Sequence, residues 1–288
     1  MGIDLSLIWF VIIVFATLMY IVMDGFDLGI GILFPATQNG DDRDVMVNSV
    51  APVWDGNETW LVLGGAALFG AFPLAYAVII DALTIPLTLM LIGLIFRGVA
   101  FEFRFKATPA HRPFWDKAFI GGSILATFTQ GVTVGAVING FSVTGRAYSG
   151  GPFDWFTAFN LFCGAGLVIA YALLGSTWLV MKSENALQQR MREVSKTLLI
   201  VLLLFIAAIS IWTPLAQPAI AARWFTLPNL FFLLPVPLLL AILSPWQRPI
   251  LKDPASQNLP LVLTLGVLCP GFRGIGCVTR MPILATPI

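Results

Sequence analysis

The chain has 288 residues, of which 58% are hydrophobic and only 11% charged, with a formal net charge of +1. Typical soluble domains carry about 25% charged residues, so this composition, with a mean hydropathy of +0.89, excludes a soluble fold and marks a polytopic membrane protein. No basic block is present to neutralise phosphates, which excludes nucleic acid as a partner.

Apolar runs predict eight membrane spans, at 5–34, 56–78, 80–102, 118–141, 155–181, 197–216, 226–244 and 259–279. Crossing a bilayer takes ~20 helical residues, and helix is the default because lipid offers no partner to open backbone groups. The fold class is therefore all-α, a polytopic membrane bundle of about eight transmembrane helices. The first run lacks a charged region before it and a small-residue cleavage site after it, so it reads as a retained first helix. It ends in MDGFDLGIG, residues 23–31, with Asp24 and Asp27 three residues apart. The second span opens on WDGNETWLVLGG, where Asp55 and Glu58 repeat that spacing. Pro73 and Asp81 place a tight hairpin between spans two and three, and the third span closes on FRGVAFEFRFK, residues 96–106. Cys163, Cys269 and Cys277 form no CxxC pair or disulfide framework and read as small apolar residues in helices.

Lys and Arg set the orientation. Alternate connections hold Arg43, then Arg97, Arg104, Lys106, Arg112 and Lys117, then Lys182, Arg190, Arg192 and Lys196, then Arg248 and Lys252. The opposite connections hold only Arg146 and Arg223. The N-terminus is thus placed on the outside, away from the cytoplasm. Asp24, Asp27, Asp55 and Glu58 then gather at one level near the cytoplasm.

Residues i and i+3 share a helix face, so each acidic pair faces one way. A charge in hydrocarbon costs about 2.5–3.5 kcal/mol on insertion scales, and carboxylates in contact repel, which favours a proton on one of them. One reading is a proton or cation path entered from the cytoplasm. The other is solvation at a helix end, with Asp55 and Glu58 favoured by the helix N-terminus and Asp24 interfacial. Asp27, deeper, calls for a buried partner: Arg97 or a cation on another chain. Arg97 itself reads either as a snorkelling basic end or as that structural ion-pair partner. Gly25, Gly29 and Gly31 on the first helix, and Gly64, Gly65 and Gly70 on the second, read as close-packing positions. His111 reads as a surface residue, and no catalytic residue, metal set or cofactor-binding motif is found on the chain.

The stretches DGFDLGIG (24–31), NSVAPVWDGNETWLVLGGAALFGAFP (48–73) and LIFRGVAFEFR (94–104) resemble subunit II of the cytochrome bd-type quinol oxidases. NETW and the short loops look like the cyanide-insensitive branch. The resemblance runs to about Leu268. It implies a non-haem subunit of a quinol:oxygen oxidoreductase in a bacterial cytoplasmic (inner) membrane. The partner is subunit I, which carries the haems and the main quinol site. It also brings expectations of lipid and quinol contacts, a structural quinone or lipid, and a small accessory subunit. Carried over by motif, the proton-path residues are Asp27, Trp54 and Asp55, with Asp24 and Glu58 as neighbours. Competing readings are a proton-coupled secondary transporter and a purely structural membrane subunit.

The end departs from the pattern. Residues 1–268 read as the transmembrane bundle. Residues 269–288 interrupt the last apolar run with Pro270, Arg273, Arg280, Pro282 and Pro287. This tail reads as a shifted reading frame with a premature stop, or as genuine divergence. Either way it lacks any family proton-path group at the terminus.

Overall fold

The computed structural model describes residues 5–224 and 226. The expected seventh and eighth spans, Cys269, Cys277 and the tail from 269 lie outside the described residues. Within them the chain is helical: α1 (Leu5–Leu33), α2 (Gly40–Asn48), α3 (Trp54–Ala71), α4 (Pro73–Lys106), α5 (Arg112–Asn139), α6 (Ala158–Lys182), α7 (Asn185–Ala216) and α8 (Pro218–Trp224). By length and apolarity α1, α4, α5, α6 and α7 are able to cross a membrane. A two-stranded hairpin, β1 (Val143–Thr144) and β2 (Ala147–Tyr148), caps the end opposite the basic one.

Three boundaries differ from the sequence reading. The second span stops at Ala71, and Pro73 opens α4. Proline is suited to a helix start, where its missing N–H is no loss. The hairpin therefore sits at Phe72, and Asp81 lies exposed inside α4. Pro86, which cannot donate to the carbonyl of Ala82, accompanies a kink at Leu83. Segment 182–196, read as a connection, is mostly the start of α7. Leu187, Met191 and Ser195 recur every four residues and are buried, and Ser195 Oγ donates to Ser176 Oγ at 2.8 Å. The hydrophilic segment after α1 also folds, as α2. Asn39 caps it by accepting from the Asp41 N–H, and Asp41 and Asp42 occupy its first turn, where acidic groups complement the helix dipole.

α5 is central. It packs between α4 and α6, α1 lies over the α5–α6 seam, α3 leans on α1, and α7 on α6. Close approach rests on glycines. A Cβ at Gly29 would strike the Tyr171 carbonyl, and one at Gly175 would meet the Gly29 backbone. Gly93 and Gly122 form the matching contact between α4 and α5. The first-helix glycines thus pack as expected. Gly65 and Gly70 instead face open space, and Gly64 only touches Ala16 and Thr17 at 3.8 Å. α3 lies at the edge of this packing, burying only Asn57 and Ala67.

Candidate functional site

The C-terminal half of α1 is buried from Asp24 to Gly31. Spacing of three and four residues directs Asp24 and Asp27 toward α4 and α3, where Arg97 waits. Arg97 is completely buried. Its Nη2 lies 2.8 Å from Asp24 Oδ1 and 3.7 Å from Asp27 Oδ2, and its Nη1 pairs with Glu58 Oε1. The guanidinium also lies over the rings of Trp54 and Phe101, 5.5 and 5.2 Å from their centroids. Trp54 and Phe101 stack at 5.0 Å. One planar cation with five donors therefore ties together α1, α3 and α4.

This arrangement corrects two expectations. Arg97 is no snorkelling end, because the three acids and the aromatic floor hold it inside. Asp24 is not interfacial either: it is fully buried and makes the shorter of the two aspartate contacts with Arg97. Asp27 is buried as expected, but its hydrogen-bond donor is Asn57, whose Nδ2 lies 2.7 Å from Asp27 Oδ2. Glu58 keeps 26% side-chain exposure and is the cluster's opening to its surroundings. Asp55, one turn earlier, stays exposed on the outer face of α3 and joins no ion pair within the described residues. So three of the four carboxylates meet, with Trp54 beneath their arginine and Asp55 outside.

Several contributors carry no strong signal in the sequence. Asn57 lies in the middle of the WDGNETW motif and is the residue that reaches back to α1. Tyr20, Gln130 and Tyr171 continue the polar contacts above Asp24. Asp24 Oδ2, Asp27 Oδ1, Arg97 Nε, Ser123 Oγ and Thr127 Oγ1 are buried without a protein hydrogen-bond partner. Such groups in a native fold are ordinarily satisfied by ordered water.

Charge counting defines what the cluster can do. Arg97 supplies one positive charge to three carboxylates. The cluster thus carries an excess of acid over base in a largely buried site, where unpaired charge is costly.

A second buried arginine on α4 differs. Arg104 Nε lies 2.6 Å from Asp116 Oδ1 and its Nη1 2.6 Å from Asp44 Oδ1. Arg43 Nη1 reaches Asp116 Oδ2 at 2.8 Å, and Arg112 Nη2 reaches Asp44 at 3.5 Å. This network fastens α2 to α4 and α5.

For metals and haem the side chains offer little. Among the described residues no group of three or more His, Cys, Asp or Glu has the geometry to hold an ion. His111 is exposed, with Nδ1 2.9 Å from Thr108 Oγ1, and Cys163 is buried and unpaired.

The sequence matches the profile of the family described as cytochrome bd terminal oxidase subunit II over residues 5–285. The probable cytochrome oxidase subunit 2 of Haemophilus influenzae is 35% identical over 218 residues, covering 72% of this chain and 57% of that protein. The cytochrome bd-I ubiquinol oxidase subunit 2 of Escherichia coli is 33% identical over 215 residues, with the same coverage. This chain thus spans a little over half the length of these relatives. A chain of the bd oxidase of Geobacillus thermodenitrificans has the same fold, with a TM-score of 0.74 over 96% of this chain and 85% of that one, at 15% identity.

Proposed function

The chain belongs to the cytochrome bd terminal oxidase subunit II family, and from that premise we propose that it is the non-haem subunit of a membrane quinol:oxygen oxidoreductase. In this reading it pairs with a haem-bearing subunit I in a bacterial inner membrane, with its N-terminus periplasmic. In the same reading the haems belong to the partner. A lipid or structural quinone and a small accessory subunit remain part of the proposed assembly.

Its chemical contribution is proton supply. Reducing dioxygen to water consumes protons at a buried site, and titratable groups held inside a membrane despite their cost commonly mark such a route. The observation that carries the proposal is the buried cluster of one arginine and three carboxylates. Glu58, partly open, admits protons, with Asp55 on the same helix as its outer acceptor. Arg97 holds Asp24 as its counter-ion. Asp27 has the longer contact to the cation and a neutral amide as its donor, so it is the carboxylate that passes the proton on. Trp54 packs against the guanidinium and holds it in place.

Two measurements test this. The chain should co-purify with a haem-bearing subunit and show haem absorbance; recovery as a haem-free monomer would refute the oxidase reading. In the assembled enzyme, Asp27→Asn should slow oxygen reduction by about a hundredfold, the lower range for loss of a positioned proton-transfer group, with haem content retained. Normal turnover at normal haem loading would leave only a structural role.

A further inference from the structure

Tyr20, Gln130 and Tyr171 come from α1, α5 and α6 and are buried where those helices meet. Gln130 Nε2 donates to the Tyr20 hydroxyl oxygen at 2.6 Å, and the Tyr171 hydroxyl donates to Gln130 Oε1 at 3.1 Å. Tyr20 stands one turn before Asp24 on α1, so the two side chains share a helix face. Asp24 gives Oδ1 to Arg97, while Oδ2 is buried and without a partner.

Donor counting gives this chain a direction. A phenol has one proton to donate. Tyr20 already accepts from Gln130, so its proton is free, and Asp24 Oδ2 is an acceptor in need of one. Turning the Gln130 amide over would reverse both bonds and spend the Tyr20 proton on Gln130. The carboxylate decides between the two senses. A hydrogen bond to an ionised acceptor is roughly twice as strong as a neutral one, and a buried oxygen left bare carries its full desolvation cost.

We infer that Tyr171, Gln130 and Tyr20 form a one-way hydrogen-bonded strap whose last donor is aimed at Asp24 Oδ2. The strap fixes Asp24 as the permanent counter-ion of Arg97. All three side chains are positioning residues. The strap also does not conduct, because the carboxamide at its centre neither takes up nor releases a proton as a carboxyl or water does. Exchangeable protons are thereby confined to the Asp27 and Glu58 side of the arginine. That last consequence rests on the proton-path reading; the bond to Asp24 does not, and it is measured without turnover.

The test uses the assembled complex, infrared difference spectra with ¹³C-labelled aspartate, and two shape-conserving variants. Tyr20→Phe should gain a protonated-carboxyl band at neutral pH that persists when Asp27 is also changed to Asn and vanishes when Asp24 is. Tyr171→Phe removes a donor two bonds away and should show no such band, with turnover unchanged. An unaltered spectrum for Tyr20→Phe would overturn the strap. Equal loss of turnover in the two variants would overturn it too, because that is how a conducting wire behaves when broken at either point. A Tyr20→Phe band alongside normal turnover in Asp27→Asn would uphold the strap and refute the proton path.

Discussion

Replacing Arg97 by Met removes the cation but keeps an apolar side chain of comparable length. Three carboxylates then surround a neutral thioether, two of them with side-chain exposures of 1% or less. Removing one member of a buried ion pair costs about 3–5 kcal/mol, because the remaining charge is stranded. Proton uptake by the stranded acids offsets part of this, while the lost aromatic contacts with Trp54 and Phe101 add to it, each worth ~0.5–2 kcal/mol. A net loss of about 3–5 kcal/mol is expected, a hundredfold or more in the folding equilibrium, against a total stability of ~5–15 kcal/mol. The assay is thermal and denaturant unfolding of the purified complex, together with Arg97→Met carrying Asp24→Asn and Glu58→Gln. If uncompensated charge is the cause, the triple variant recovers most of the loss. A cost below about 1 kcal/mol for Arg97→Met, too small for a stranded buried charge, or no recovery in the triple variant, refutes the reasoning.

Gly121 and Gly122 are neighbours on α5 with opposite surroundings. A Cβ at Gly122 would meet the Gly93 carbonyl at 2.6 Å and the Arg97 N at 2.8 Å, whereas Gly121 faces nothing within 4 Å. Gly122→Ala should therefore destabilise by about 1–3 kcal/mol or more through forced separation of α4 and α5. Gly121→Ala should be neutral or stabilising by ~0.5–1 kcal/mol in chain entropy, as read by melting of the two variants side by side. Asn57→Ala withdraws the amide donor from Asp27 and should cost about 1–3 kcal/mol in the same assay.

The sequence made the first helix readable in detail. Its apolar run, the buried Asp27 and the glycines that face α6 and α5 all stand where spacing puts them. Arg97 was open to two readings because a basic residue near a helix end looks the same whether it snorkels or pairs. Its depth is set by contact with α1 and α3, which a linear pattern does not encode. Asp24 was misplaced for the same reason. Asn57, Tyr20, Gln130 and Tyr171 are uncharged polar residues inside apolar runs. They barely alter hydropathy, and only the three-dimensional meeting of helices gives them roles. Apolarity alone does not mark the α3–α4 break at Phe72 or the helical start of α7. Pro73 and the four-residue recurrence of Leu187, Met191 and Ser195 were the signals available.

The two buried arginines of α4 sit in clusters of opposite charge balance, and the proposed proton path involves only one of them. Arg97 and Arg104 lie seven residues apart, so they share a face about 10 Å apart along the axis. Around Arg104 there are three cations, with Arg43 and Arg112, for two acids, Asp44 and Asp116. Every carboxylate there faces a cation. Around Arg97 the balance is reversed. Asp116→Asn should therefore weaken the fold by about 1–3 kcal/mol, because Arg43 and Arg104 lose a shared charged acceptor, yet leave turnover per assembled complex unchanged. Asp27→Asn should do the opposite, sparing stability and slowing turnover. The comparison needs both numbers for both variants. If Asp116→Asn slows each assembled complex as much as Asp27→Asn does, the excess of acid around Arg97 is not what moves protons.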